Sequence, residues 1–152
     1  TCRPQDPSRW FEKYRSNYLD VSNDPVYPFG YGLSYTAFTY SPMELSADSI
    51  GMDGCIRASV TITNTGDYDG AEIVQLYIGD IAGSIVRPVQ ELKGFERIFL
   101  KKQESRRVEF AITTDMLRFY DADLDFVCEP GEFEIMIGPN CRDVERRLFR
   151  VK

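Results

Sequence analysis

Four stretches of this chain alternate between apolar and polar side chains with a period of two, and that period leaves few folds open. Ile56, Ala58, Val60 and Ile62 alternate with Arg57, Ser59, Thr61 and Thr63, ending at Asn64-Thr65-Gly66. Val74, Leu76 and Ile78 alternate with Gln75 and Tyr77 before Gly79-Asp80. Val108, Phe110 and Ile112 alternate with Arg107, Glu109 and Ala111. Phe133, Ile135 and Ile137 alternate with Glu132, Glu134 and Met136, between Gly131 and Gly138-Pro139-Asn140. Successive side chains of a strand point to opposite faces, so each stretch offers one face to a core. This is the pattern of half-buried antiparallel strands bounded by turns.

Weaker strand signals occupy 37–40, 43–48, 92–100 and 144–151. In 92–100 apolar residues fall on both parities, which leaves its core face undecided. Thr114-Asp115-Met116-Leu117-Arg118-Phe119 reads as one capped helical turn between strands. About seven strands, separated by turn signals every eight to twelve residues, predict an all-β, two-sheet antiparallel sandwich over 36–152. No helix is long enough for a βαβ unit.

Residues 1–35 have a different texture. Pro4, Pro7, Pro25 and Pro28 punctuate them, and only a short helical turn around 10–14 is predicted. We read them as an extended arm. It ends in Tyr27-Pro28-Phe29-Gly30-Tyr31-Gly32-Leu33-Ser34-Tyr35. Pro28, Gly30 and Gly32 prevent a regular helix or central strand there. Rings this dense need a covering surface, supplied by their own domain or by a neighbouring one.

Composition removes most chemistry. The 152 residues hold no histidine, which excludes Ser-His-Asp triads, Cys-His pairs and HExxH zinc sites. A net charge of −6 suits no phosphate backbone, and no apolar run reaches membrane-spanning length. Cys2, Cys55, Cys128 and Cys141 stand in no CxxC spacing. An oxidising compartment would let them pair, Cys128 with Cys141 being nearest in sequence; separate buried or half-buried thiols are the simpler reading.

Carboxylates are the remaining catalytic candidates. Glu132 and Glu134 share one strand face at roughly 7 Å, a spacing compatible with a glycosidase pair. Nothing beside them suggests a pocket, and a solvated outer face explains them. Asp121, Asp123 and Asp125 open like a calcium loop, but Phe126 stands where that loop needs glycine. A looser calcium site involving Asp67 or Asp69 before Gly70 stays open as an alternative, although turn chemistry alone accounts for them. Gly30-Tyr31-Gly32 lacks the flanking strand and helix of a phosphate loop. No catalytic, cofactor or metal site is predicted.

The aromatic segment 27–35 resembles the linker signature of glycoside hydrolase family 3, the β-glucosidase and β-xylosidase group. Asn64-Thr65-Gly66-Asp67-Tyr68-Asp69-Gly70-Ala71-Glu72 with Val74-Gln75-Leu76-Tyr77 is similar to that family's next motif. Arg87-Pro88-Val89-Gln90-Glu91-Leu92-Lys93-Gly94-Phe95 and Pro130-Gly131-Glu132-Phe133 follow in the same order. The resemblance spans roughly residues 9–152.

It implies an immunoglobulin-like, fibronectin type III-like sandwich at the C-terminal end of a retaining β-glucosidase. In such enzymes the nucleophilic Asp lies in a Ser-Asp-Trp type motif on a barrel, and the acid/base Glu lies on a following domain. Neither carries over, for the one tryptophan, Trp10, follows Ser8-Arg9. The resemblance therefore implies a non-catalytic appendage, secreted or periplasmic, in an enzyme acting on β-linked oligosaccharides. Its partners would be the catalytic domains of the same polypeptide, with Tyr27, Phe29, Tyr31 and Tyr35 as interdomain packing residues. Arg87 would join them as a planar donor, in the 81–88 loop. The competing expectations are a carbohydrate-binding module and a protein-adhesion domain.

Overall fold

The computed structural model describes residues 24–152, so the helical turn expected at 10–14 and Cys2 lie outside the described residues. The described chain builds eleven strands: β1 (Phe38–Tyr40), β2 (Glu44–Leu45), β3 (Ser49–Ile50), β4 (Cys55–Asn64), β5 (Gly70–Asp80), β6 (Glu91–Leu100), β7 (Ser105–Thr113), β8 (Phe119–Tyr120), β9 (Phe126–Val127), β10 (Gly131–Gly138) and β11 (Glu145–Val151). In one sheet β4 is central, with β1 and β2 along one side and β7 along the other. The other sheet runs β3-β11-β10-β5-β6, antiparallel except for the short β3–β11 contact. A small β8–β9 hairpin stands apart from both.

The alternating stretches supply the core as the period of two requires. Ile56, Ala58, Val60 and Ile62 of β4, with Val108 and Ile112 of β7, form one inner face. Val74, Leu76, Ile78, Ile135 and Ile137 form the other, and the Phe133 and Phe149 rings meet at 5.7 Å. This is an all-β sandwich.

Three local details depart from expectation. The 43–48 stretch splits into β2 and β3, which join different sheets. The turn after β7 is a 3-10 helix, Thr114–Leu117, and Thr113 gives it no side-chain cap. The β8–β9 hairpin has no forecast at all, because two-residue strands are too short to show a period. The undecided face of 92–100 is settled by a bulge. Leu76 pairs with Gly94 and Tyr77 with Leu92, so Lys93 is the extra residue and the parity flips there. Beyond it Ile98 and Leu100 face the core, while Phe95 and Phe99 face out.

Candidate interdomain surface

No strand forms among the described arm residues 24–35; instead a tight turn carries the site. The N–H of Tyr31 donates to the carbonyl of Pro28 at 3.1 Å, and Gly30 has φ +80°. With Phe29 outside the positive-φ region, this is a type II turn, whose third residue favours glycine. Space demands glycine too. A Cβ at Gly30 would lie 2.0 Å from Oε1 of Gln75 and 2.8 Å from the Tyr77 hydroxyl.

Gln75 and Tyr77 have the parity opposite to the core residues of β5, so they face the outer side of the sheet. They are nevertheless buried, because the arm lies over them. Nε2 of Gln75 donates to the carbonyls of Gly30 at 3.0 Å and Pro139 at 2.6 Å. Its Oε1 accepts from the Tyr77 hydroxyl at 2.5 Å. Burial first, then the nearby Cys141, pushes the Tyr77 hydroxyl up to about 12, so it stays protonated and donating. The N–H of Cys141 donates to the carbonyl of Phe29 at 3.0 Å, and the amide of Gln90 donates to the Cys141 carbonyl at 2.8 Å. Each buried polar group of this set has a partner, and each such bond contributes on the order of 1 kcal/mol.

The arm is thus held by its backbone, with its rings outward. Tyr27 is 69% exposed, Phe29 66%, Tyr31 41% and Tyr35 98%. Tyr27 and Tyr31 touch each other, with centroids 5.2 Å apart and planes 35° apart. Beside them, the outer side of β5–β6 adds exposed Ile73, Phe95 and Phe99. Single exposed apolar residues need no explanation; here several exposed rings cluster around one pinned backbone. Gln75, Tyr77 and Phe95 are absent from the sequence forecast; apolar residues on both parities of 92–100 were the signal for Phe95.

Arg87, expected as a planar donor between surfaces, is placed away from the arm: it turns inward and is buried. Its guanidinium lies 3.6 Å from Asp80, 3.3 Å from Glu91 and 4.3 Å from the centroid of the Phe119 ring. A buried carboxylate such as Asp80 needs a counter-charge, and a planar cation can pair and stack at once. Burial pushes the Glu91 carboxyl up, but the Lys93 ammonium and Arg87 outweigh it and hold Glu91 below the usual range.

The acidic candidates resolve into surface and turn chemistry. Glu132 pairs with Arg150 and Glu134 with Arg146 on the outer face of β10–β11. Asp67 pairs with the Lys102 ammonium at 2.7 Å, and Asp69 accepts from the Lys102 N–H at 2.8 Å. Oδ1 of Asp121 accepts from the N–H groups of Asp123 and Asp125, at 2.9 Å each. Cys55, Cys128 and Cys141 are free thiols, and burial is the chief cause that pushes the Cys128 thiol up. Among the described residues no three metal-binding side chains converge.

The same sandwich occurs in solved enzymes. The chain superposes on a β-glucosidase from Listeria innocua, solved with isofagomine, with a TM-score of 0.89 and 39% identity, covering 99% of this chain and 21% of that one. A family model described as a fibronectin type III-like domain matches residues 72–141. This chain is a fibronectin type III-like domain of the family 3 glycoside hydrolase kind. It is 44% identical over 151 residues to a periplasmic β-glucosidase of Salmonella typhimurium, covering 99% of this chain and 20% of the relative. It is 45% identical over 139 residues to a putative β-xylosidase of Formosa agariphila, covering 91% of this chain and 18% of the relative. This family 3 domain thus spans about a fifth of the length of the curated relatives it matches (the four ordered motifs from 27 to 133 lie within the aligned length). No helix among the described residues is long and apolar enough to cross a membrane.

Proposed function

We propose that this chain is the non-catalytic accessory domain of a family 3 β-glucosidase, and that it packs on and stabilises the catalytic domains of its own polypeptide. The arm carries this reading. Its backbone is fixed by Gln75, Tyr77 and Cys141 while Tyr27, Phe29, Tyr31 and Tyr35 point outward. Anchored rings lose little further entropy on docking, so their burial against a neighbour returns more of its hydrophobic gain.

A glycan-binding platform would set its rings in a flat row. The 35° tilt between Tyr27 and Tyr31 favours packing against protein instead. The Salmonella relative is named periplasmic, which supports a secreted or periplasmic location here. The substrate of the whole enzyme would be a β-linked oligosaccharide, and its nucleophilic Asp and acid/base Glu would lie outside these residues.

The test uses the complete polypeptide. Phe29→Asp with Tyr31→Asp should lower the unfolding midpoint of the catalytic domains and open the arm to protease. An unchanged midpoint and unchanged cleavage would refute the packing role. Separately, this chain alone should show no turnover of an aryl β-glucoside; turnover abolished by replacing one of its carboxylates would overturn the non-catalytic reading.

A further inference from the structure

The outer side of β5–β6 carries a strip that the strand register makes continuous. Ile73 stands opposite Arg97, Gln75 opposite Phe95 and Ala71 opposite Phe99. Residues directly opposite share a face about 5 Å apart, and diagonal ones lie about 7–8 Å apart, within reach of aromatic and long side chains. Ile73 is therefore the direct neighbour of Arg97 and the diagonal neighbour of both Phe95 and Phe99. All four are exposed. They form one patch.

Arg97 is the unusual member. Arg57, Arg107, Arg146 and Arg150, also on the outer faces of strands, each pair with a carboxylate. Among the described residues no ion pair or hydrogen bond engages the Arg97 side chain. The nearest carboxylates of its ladder, Glu72 and Glu96, have the opposite parity. The strip thus sets an unmatched cation between two phenyl rings and an isoleucine. Aromatic residues and arginine are the types enriched at the centre of protein contacts, where lysine and glutamate are depleted.

We propose that Phe95, Arg97 and Phe99, with Ile73, dock the domain to which the arm leads, and that this domain sets a carboxylate against Arg97. This rests on the packing role proposed above and extends it from the arm onto the sheet. The choice of occupant comes from continuity. Gln75, directly opposite Phe95, is the residue whose amide holds the Gly30 carbonyl, so the arm meets the sheet one residue pair from the strip. Chain entering the arm at residue 24 is at most about 20 Å from Gly30, at roughly 3.5 Å per residue. A body tethered that closely meets the strip at high effective concentration. Covering the rings also covers the guanidinium, and burying an unpaired charge is costly, so the complementary surface is apolar with one negative group.

Thiol labelling of the complete polypeptide decides it. Ile73→Cys, Phe99→Cys and Tyr31→Cys are made singly, each labelled peptide being identified by mass and each rate compared with that of the same position in urea. Positions 73 and 99 should label about tenfold or more slowly in the native protein, as when the undocked form is a minor population. That protection should not depend on protein concentration. Adding Arg97→Glu should return both toward their urea rates, because like charges then face each other, while position 31 stays slow. If 73 and 99 label as fast as in urea while 31 is slow, the strip is overturned and packing through the arm stands. If 31 is fast as well, both are overturned. Protection that grows with protein concentration makes the occupant a second copy of the chain and overturns the proposal. If Arg97→Glu leaves 73 and 99 slow, the carboxylate opposite Arg97 is overturned.

Discussion

The side-chain amide of Gln75 donates to the carbonyl of Gly30 at 3.0 Å, across 45 residues of sequence. That bond places an aromatic arm on the outer side of a sheet whose own residues would otherwise be wet. It also explains why residue 30 has no side chain: the same Gln75 occupies the space a Cβ would need.

Gly30→Ala should therefore cost about 1–3 kcal/mol, from the positive φ and the clash together. The loss should be local. Protease cleavage within 24–35 should rise well before global unfolding by denaturant changes, and Gln75→Leu should reproduce the effect by leaving two carbonyls unpaired.

Asn64 is fully buried at the end of β4, and every one of its side-chain atoms that can bond is used. Its Oδ1 accepts from the Thr36 hydroxyl at 2.6 Å and the Gly66 N–H at 3.2 Å. Its Nδ2 donates to the carbonyls of Tyr68 at 2.8 Å and Leu100 at 3.2 Å. Asn64→Ala should destabilise by about 2–4 kcal/mol, read as a shift in the urea midpoint at unchanged slope.

Glu72 has the inward parity of β5, and burial raises its carboxyl despite a bond from the Ile73 N–H at 2.7 Å. A carboxyl raised in the folded state favours folding most below its unfolded pKa, and that contribution is lost as pH rises through the folded value. Glu72→Gln should therefore stabilise the domain at pH 7, with the advantage shrinking as pH falls toward 4. Glu91 has the opposite sign. Its lowered carboxyl stabilises above the unfolded pKa, and Glu91→Gln should cost stability at pH 7 but little once pH drops below the folded value. Melting curves of both variants across pH 3–8, a range set by those carboxyl pKa values, check the two signs.

Leu124→Asn should leave the unfolding midpoint of this domain unchanged or slightly raised, by up to about 1 kcal/mol, because asparagine accepts the left-handed backbone that leucine resists. A clear loss in calorimetry would show that the Leu124 side chain supports its own fold.

Much of this molecule could be read without coordinates, and the reason is local. A strand's period of two depends only on neighbours along the chain, so Ile56–Ala58–Val60–Ile62 or Phe133–Ile135–Ile137 declare their inner face directly. The solvated role of Glu132 and Glu134 follows from the same parity, and the glycines and prolines of 27–35 exclude regular structure by their own backbone limits. The density of rings at Tyr27, Phe29, Tyr31 and Tyr35 is legible in the sequence; their outward direction and the pinning of the arm through its backbone are not.

What only the tertiary structure decided concerns register and burial between distant residues. Lys93 becomes a bulge because of how β6 meets β5, and that alone sorts Ile98 from Phe99. Arg87 turns inward because folding buries Asp80, whose charge then has to be matched, a demand that exists only once water is gone. Gln75 looks like any outward polar strand residue until a turn 45 positions away comes to rest on it. Alternation along the chain chose the two faces of β4, β5, β7 and β10; the cost of leaving a buried charge or amide unpaired chose what lies across them.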